Sequence, residues 1–494
     1  MGAKKSFAQI VGDLSERSAG KLAAKLPSWA AVAGKLVIPS SLNLEQCSSE
    51  AAARFKAGIA AGIAGAVLPG AAEEGASGAG LADKSGCPGS GAAPTDKGGD
   101  RGSLEILADK GVCPGSGRPK AIADLTGGLG ADAFAFATLF GRVLHNDADA
   151  SLSAAVQQNF ALLGVANVEF SCHYIAPGKL DFVRSFAPDI IYLDPARRDG
   201  AGRKVFLLEQ CSPDLLSLEN ELLDICPDVL VKLSPMADLS MLRERLGGSF
   251  RTLWVVGLGG ECKELLCHLH RGASGLESIT LVSLPGASSL ASAPLSGVPS
   301  LEFGSLDPGK RAVVWDDGPS ALAGRIIFEP GAVLSKSGCA DALALRLGLS
   351  KLSRSTHLFV LPSGPGASAP SGPGANFDQF TPGVSASSGT GLPAPSGSGV
   401  DCRINFSPLA EESLLEAFGR RFLVEEVLPF GKAAFREVRQ RCPRADVSAH
   451  NIPMSSEDLR ERLGIRPGGE KHIFGVTVGF LGERALLLCH RCPA

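Results

Sequence analysis

The stretch "IADLTGGLGAD" (residues 122–132) decides the fold of this chain. Its first residues predict a buried strand that ends at Asp124, and Gly127, Gly128 and Gly130 predict a tight turn before a helix. A glycine turn lets a ligand approach the backbone closely, and the helix N-terminus offers unpaired N–H groups. The unit is therefore typical of nucleotide-binding α/β sheets. A βα turn with a purely structural role is the alternative interpretation.

The same alternation of strand and helix continues along the chain. After the first strand at 121–125, further strands are expected at 142–147, 167–171, 189–194, 228–233, 252–257 and 278–284. Helical stretches separate them, for example at 149–163 and 209–225, and residues 259–266 resemble the start of another helix. Such alternation predicts an α/β fold with a seven-stranded, parallel, doubly wound, Rossmann-like sheet.

Two acidic residues indicate the kind of ligand. Asp124 precedes a G-x-G turn, a pattern typical of S-adenosylmethionine sites, where a carboxylate meets a cationic ligand; a dinucleotide site must seat a pyrophosphate instead. Asp147 ends the second strand, 17 residues after Gly130, where an acidic side chain accepts hydrogen bonds from ribose hydroxyls. Asp149 competes for this role but is expected to begin or cap the next helix. We expect Thr126 and the glycines after it to surround the cofactor.

The stretch "IIYLDPARRDG" (190–200) places charges at the end of the fourth strand. Asp194 can accept hydrogen bonds from an amine, and Pro195 leaves its carbonyl free to accept another. Amino-methyltransferases with a (D/N)PP(Y/F) turn have an aromatic ring where this chain has Arg197. A guanidinium group can stack on a base or pair with a phosphate, so Arg197 and Arg198 are candidates for holding a nucleotide. Structural ion pairs are their alternative role.

The stretch "VKLSPMADL" (231–239) follows the fifth strand and excludes one mechanism. RNA uridine-C5 methyltransferases combine a similar DPPR turn with a catalytic cysteine after this strand. Here Ser234 and Pro235 follow the strand without a cysteine, and Cys226 lies at its other end. Covalent C5 chemistry is therefore not expected, and direct transfer to a nitrogen or oxygen remains. Lys232 is a candidate substrate contact that could also serve a ribose 2′-O reaction.

Composition divides the chain into five parts, one of which is a low-complexity segment, and a second low-complexity segment lies within the last part. The first segment contains a near repeat, "LADKSGCPGSG" and "LADKGVCPGSG", which cannot build a core and is predicted to be a flexible spacer. The expected parts are a helical region at 1–61, the spacer at 62–119, the α/β domain at 120–290, and small α+β domains at 291–345 and 346–494, the last with an insertion at 363–401.

The charge balance limits how the chain could bind a nucleic acid. The 494 residues carry a formal net charge of −3, which excludes a globally basic nucleic-acid binder, so any basic surface must be local. Lys432, Arg436 and Arg439 recur at near-helical spacing in a predicted helix at 431–441. This face is a candidate RNA-binding surface, and a solvated amphipathic helix is an equally good interpretation.

Cysteine usage and apolar runs indicate the compartment. The 13 cysteines are scattered, unlike a dense disulfide framework, so we expect reduced thiols in the cytoplasm. No apolar run is long enough for a membrane span. The opening "MGAKKS" matches a myristoylation pattern, for which a chance match is the favoured explanation. The closing "CHRC" lacks a second cysteine pair, and no metal is expected.

Several motifs in one order carry a family resemblance. They are "LPSWA", "LEQCSSEAAARFKA", "DLTGGLGAD", "IYLDPARRD", "LVKLSPMADL", "ECKELL", "FEPGAVLSKSG", "VEEVLPF" and "NIPMSSEDLRERLG". With them the chain resembles bacterial class I methyltransferases that end in a THUMP-like domain, known chiefly from Bacteroidetes. The resemblance implies a methyltransferase core, a ferredoxin-like domain at 291–345 and a THUMP-like domain at 346–494. THUMP domains bind RNA, so tRNA or rRNA is the implied substrate.

The resemblance also implies site residues. The family's cofactor turn falls on Asp124 and the glycines that follow it, its strand-2 acid on Asp147, and its DPARR turn on 194–198. One departure concerns the end of the third strand, where class I enzymes often have an acidic residue near the adenine. This chain has Cys172 and His173 there. If Cys172 borders the cofactor, backbone and apolar contacts must recognise the adenine.

Three hypotheses about function follow from the sequence. The first is an RNA methyltransferase that uses S-adenosylmethionine and transfers the methyl group directly to a nucleotide nitrogen. The second is an RNA-binding protein with an inactive methyltransferase fold, which predicts no cofactor binding. The third is a small-molecule methyltransferase, which predicts activity without RNA and indifference to deletion of 402–494.

Overall fold

The computed structural model describes residues 18–66, 120–196, 208, 211–285, 298–304, 311–362, 405–406 and 411–493. The described residues form two compact units, the first drawn from 1–232 and 268–272 and the second from 233–267 and 273–493. The predictions for "MGAKKS", for the near repeat and for the insertion at 363–401 lie outside the described residues. The predicted domain boundaries stay predictions.

The N-terminal part of the first unit is helical. Residues 18–25 are helical, a 3-10 helix spans Pro27–Lys35, and helices α1 (Ser41–Gln46) and α2 (Glu50–Ile63) follow. Ser49 caps α2 by accepting a hydrogen bond from the Ala52 amide. Helix α2 is rich in alanine, whose small side chain allows close approach to neighbouring elements, and much of its surface is buried.

A parallel sheet forms the core of the first unit. Its order is β3-β2-β1-β4-β5, followed by the end of β7, and the pairs among β1 to β5 are all parallel. The strands are β1 (Ala121–Asp124), β2 (Arg142–Asn146), β3 (Val168–Ser171), β4 (Ile190–Leu193), β5 (Asp228–Leu233) and the His268–His270 end of β7 (Glu261–His270). Between them lie α3 (Ala131–Ala137), α4 (Ala150–Leu162), α5 (Asp181–Phe186) and α6 (Leu215–Ile225). Every residue of β1 and β4 is buried, as expected for strands covered on both faces.

The second unit begins with a further set of strands. They are β6 (Phe250–Leu258), the first part of β7, β8 (Ser278–Leu284), β9 (Ser300–Phe303) and β13 (Asn405–Phe406), in the order β7-β6-β8-β9-β13, with α7 (Leu239–Leu246) before them. The prediction of a helix start at 259–266 is wrong, because β7 begins at Glu261. Gly259 and Gly260 both have positive φ and form the two-residue turn typical of a β-hairpin.

A second, seven-stranded sheet completes this unit. Its order is β11-β12-β10-β14-β17-β16-β15. The strands are β10 (Ile326–Pro330), β11 (Ser350–Ser353), β12 (Thr356–Val360), β14 (Gly419–Pro429), β15 (Asp446–His450), β16 (Lys471–Val478) and β17 (Glu483–Arg491). The helices are α8 (Ala332–Ser337), α9 (Ala340–Leu347), α10 (Glu411–Phe418), α11 (Lys432–Arg441) and α12 (Ser456–Leu463). The Leu-Gly-Glu-Arg turn at 481–484 joins two apolar runs and therefore predicts a hairpin, and the structure has this hairpin as β16–β17.

Candidate functional site

The glycine turn lies between β1 and α3 and packs against the buried side chain of His145. Gly128 and Gly130 have φ values of 54° and 86°, which favour glycine. Gly127 is required for a different reason, since a Cβ there would lie 2.2 Å from Nε2 of His145. Burial lowers the pKa of His145, so this ring is neutral beneath the turn.

Asp147 fixes the turn through its carboxylate. Its Oδ2 accepts a hydrogen bond from the Gly128 amide at 3.0 Å, and its Oδ1 accepts one from the Asp149 amide at 2.8 Å. Asp149 itself caps α4 by accepting hydrogen bonds from the Ser151 and Leu152 amides. The structure therefore brings Asp147 to the glycine turn and gives Asp149 the helix-capping position expected of it.

Asp124 has a buried carboxylate at the end of β1. Its Oδ1 accepts a hydrogen bond from the Thr126 amide at 3.1 Å, and its Oδ2 is buried without a hydrogen-bond partner among the described residues. Burial raises the pKa of Asp124 well above its usual value, and the carboxylates of Asp132, Asp194 and Asp147 raise it further. A buried acceptor among like charges is suited to a cationic partner.

The N-terminal helices contribute a buried lysine to this neighbourhood. Lys56 of α2 has a fully buried side chain, with Nζ at 3.0 Å from Oδ1 of Asp132 and 2.6 Å from Oγ of Ser48. Ser48 and the Tyr192 hydroxyl both donate to Oδ2 of Asp132, at 2.9 and 3.0 Å. Burial alone would raise the pKa of Asp132, but Lys56 and Lys232 outweigh it and hold this pKa below its usual value.

Thr126 joins the glycine turn to the turn after β4. Its Oγ1 accepts a hydrogen bond from the Asp194 amide at 2.6 Å. Asp194 in turn forms an ion pair with Lys232, whose Nζ lies 2.5 Å from Oδ2, and the two side chains are 31% and 17% exposed. Three of the predicted site residues thus lie together, and the pair stays accessible to a ligand. Pro195 follows Asp194 directly, whereas Arg197 and Arg198 lie outside the described residues.

Asn146 organises the ends of β1, β2 and β3. Its buried side-chain amide donates to the carbonyls of Leu125 and His173, and its oxygen accepts from Ser171 and the His173 amide. Cys172 is exposed, and its thiol lies 3.7 Å from the Ala148 carbonyl, between the ends of β2 and β3. The amide network therefore fixes the backbone where an acidic residue is common in this fold.

The structure brings the predicted residues Asp124, Asp147 and Asp194 to the glycine turn, but the groups that support them were not predicted. The Lys56–Asp132 pair and the amide of Asn146 were not predicted, although Lys56 and Asp132 both lie in quoted motifs. The sequence did contain a signal for the buried lysine. Lys56 lies within the alanine-rich run "EAAARFKA", and helix periodicity places it on the buried side of that helix.

Comparison with family models finds a THUMP domain-like segment at residues 419–491 and a ferredoxin-like domain at residues 327–363. The C-terminal part of this chain is a THUMP-like domain. It contains β14 to β17 with α11 and α12, and the ferredoxin-like match contains β10 to β12 with α8 and α9. No curated protein matches the chain.

Solved structures show the fold of the remainder. A candidate methyltransferase from Porphyromonas gingivalis W83 superposes with a TM-score of 0.62 at 24% identity, covering 97% of this chain and 89% of that one. Two further structures match only part of this chain. They are an rRNA methylase from Streptococcus thermophilus and a Streptococcus mutans protein solved with SAH, and each covers 31% of this chain at a TM-score of 0.23. The chain has a class I methyltransferase fold with C-terminal ferredoxin-like and THUMP-like domains, which confirms the predicted fold.

The basic residues of the THUMP-like domain divide into two kinds. Arg439 donates to the carbonyls of Leu463 and Arg462 at the end of α12, which is a structural use of its guanidinium group. Lys432 and Arg436 of α11 are exposed.

In the part of the chain that the structure describes, no helix is long and apolar enough to cross a membrane.

Proposed function

We propose that this protein is an S-adenosylmethionine-dependent methyltransferase that acts on RNA by direct transfer to a nucleotide nitrogen. One observation carries the proposal: an oxygen of Asp124 that is buried and has no hydrogen-bond partner among the described residues lies beside a glycine turn held by the Asp147 carboxylate. This arrangement suits a nucleoside ligand with a cationic end.

The residues of the turn fit the proposed cofactor. Asp124 would face its positive charge, the turn from Thr126 to Gly130 would surround its methionine part, and Asp147 would accept hydrogen bonds from its ribose. The backbone beside Cys172 would border the adenine. When bound, S-adenosylmethionine supplies a methyl group on a sulfonium centre.

Asp194 and Lys232 would then position the acceptor. Lys232 engages one carboxylate oxygen of Asp194, and the other oxygen and the Pro195 carbonyl are the proposed acceptors for an amine. Holding the nitrogen by two acceptors orients its lone pair towards the methyl donor, and most of the rate enhancement would come from this proximity and orientation. Arg197 and Arg198 are proposed to hold the nucleotide.

The proposed RNA substrate is supported by the THUMP-like domain and by exposed basic residues on it. Lys432 and Arg436 project from one helix four residues apart and could pair with phosphates. Arg439 contributes less, because its donors are used within the domain. The cytoplasm remains the expected compartment.

The decisive experiment is incubation of the full chain with labelled S-adenosylmethionine and total RNA, followed by nucleoside mass spectrometry. We expect one methylated nucleoside from the native protein and none from Asp194→Ala, while calorimetry shows that this variant still binds the cofactor. Asp224→Ala, which changes an exposed aspartate on α6, is the matched control and should keep full activity. Full activity in Asp194→Ala would remove Asp194 from the mechanism.

The Lys232–Asp194 pair favours a second candidate acceptor, the ribose 2′-hydroxyl. In such a transfer the Asp194 carboxylate would take the proton of the hydroxyl group, and the Lys232 ammonium group would hold the hydroxyl oxygen. Mass spectrometry separates this case, because a ribose-methylated nucleoside loses its label with the sugar. Absence of cofactor binding would instead support the inactive RNA-binding protein, and methylation without RNA would support a small-molecule enzyme.

A further inference from the structure

Two histidines and an aspartate converge on one point of the first unit, away from the proposed cofactor turn. Asp228 opens β5, and His268 and His270 lie at the end of β7. Because the two histidines are two residues apart on a strand, their side chains project from the same face. Oδ1 of Asp228 lies 2.8 Å from Nε2 of His268 and 2.7 Å from Nδ1 of His270.

The three side chains have the composition and the spacing of a metal site. Their nearest nitrogen and oxygen atoms all lie within 4.8 Å of one another. A tetrahedral zinc ion with bonds of about 2.1 Å holds its ligand atoms about 3.4 Å apart, so small side-chain rotations would admit it. Among the described residues this is the one group of three or more such side chains that meets these distances.

Burial leaves one side of the cluster open. The side chain of His268 is 6% exposed and that of Asp228 is 17% exposed, whereas His270 reaches 30%. Three protein ligands with one accessible side match the geometry of zinc sites that keep a position for water. Imidazole and carboxylate ligands also suit cobalt and nickel ions.

We propose that Asp228, His268 and His270 form a binding site for a divalent transition-metal ion, with zinc as the expected occupant. The site lies at the start of β5, whereas Lys232 lies four residues further along the strand, roughly 13 Å away. The ion would therefore join β5 to the end of β7 and take no part in methyl transfer. This inference does not rest on the proposed function.

The test uses the full chain after removal of metals with EDTA. Zinc titration followed by calorimetry should show one ion bound per chain, and zinc should raise the thermal unfolding temperature in proportion to its occupancy. His270→Gln should weaken binding by at least about tenfold. His490→Gln is the matched control, because His490 also pairs with a carboxylate on a strand, and it should bind zinc like the native protein.

Cobalt distinguishes this site from zinc binding by the cysteines. Cobalt bound by histidine and aspartate lacks the intense near-ultraviolet charge-transfer band that thiolate ligands produce. Asp228→Asn, which keeps the hydrogen-bonding shape but is a poorer ligand, checks the result if His270→Gln folds badly. No zinc uptake by the native chain, equal uptake by all variants, or a thiolate spectrum would overturn the proposal and leave a metal-free Asp–His network.

Discussion

Replacing Lys56 by methionine should destabilise the first unit more than any exposed lysine replacement. The change removes an ammonium group but keeps most of the side-chain volume. Lys56 is fully buried and its partner Asp132 is 10% exposed, so the carboxylate would be left without its closest positive charge. Breaking a buried pair from one side costs about 3–5 kcal/mol, because the remaining charge stays desolvated.

The magnitude can be measured as a change in thermal unfolding. For a domain of 150–250 residues, each kcal/mol lowers the midpoint by about 2–4 °C, so Lys56→Met should lower it by roughly 10 °C. Lys35→Met, which replaces an exposed lysine of the same N-terminal region, should change it by about 1–2 °C at most. Differential scanning calorimetry of the full chain resolves the transition.

A double variant identifies the physical cause. In Lys56→Met with Asp132→Asn, the buried charge is gone but the amide oxygen can still accept hydrogen bonds from Ser48 and Tyr192. The double variant should therefore be more stable than Lys56→Met alone. If it is equally unstable, the cost arises from packing, and if Lys56→Met behaves like the Lys35 control, the buried ion pair does not stabilise the fold.

Three further predictions concern the site itself. Gly127→Ala should cost about 1–3 kcal/mol of stability by overpacking against His145, and adding His145→Ala should recover part of it in thermal unfolding. Asp124→Asn should stabilise the protein increasingly as pH rises above 3.8. Burial raises the pKa of Asp124 in the folded state, so the native protein loses stability as pH rises above the unfolded value, and the asparagine variant does not; melting curves at about pH 4 and about pH 7 should show a larger gain at the higher pH. Asn146→Ala should lower stability by about 1–3 kcal/mol, because the carbonyls of Leu125 and His173 lose the hydrogen bonds that Asn146 donates. An unchanged denaturant midpoint would show that these hydrogen bonds do not stabilise the fold.

Local patterns predicted much of the fold because they act over short distances. The glycine turn after β1 requires positive φ at two positions, so its glycines signal it directly. The Leu-Gly-Glu-Arg turn predicted the β16–β17 hairpin for the same kind of reason. The β6–β7 hairpin carried an equally good signal in Gly259 and Gly260, but the charged residues after them resembled a helix N-terminus.

Long-range pairs could not be predicted by the same reasoning. Lys56 meets Asp132 only because α2 packs near the start of α3, and no periodicity within either segment identifies the partner. Asp228 meets the two histidines only because β7 follows β5 in the sheet of the first unit. A local pattern shows that a polar residue is buried, and the topology of the sheet decides what it pairs with.

Charge balance explains why the site should prefer a cation. The carboxylates of Asp132, Asp194 and Asp147 all act electrostatically on Asp124 beside the glycine turn. Lys56 compensates Asp132 and Lys232 compensates Asp194, while Asp147 is satisfied by backbone amides. Asp124 is left with one engaged oxygen and one without a partner among the described residues. A pyrophosphate would add negative charge beside this carboxylate, whereas a sulfonium or ammonium group would pair with it, so this arrangement supports the proposed S-adenosylmethionine over a dinucleotide.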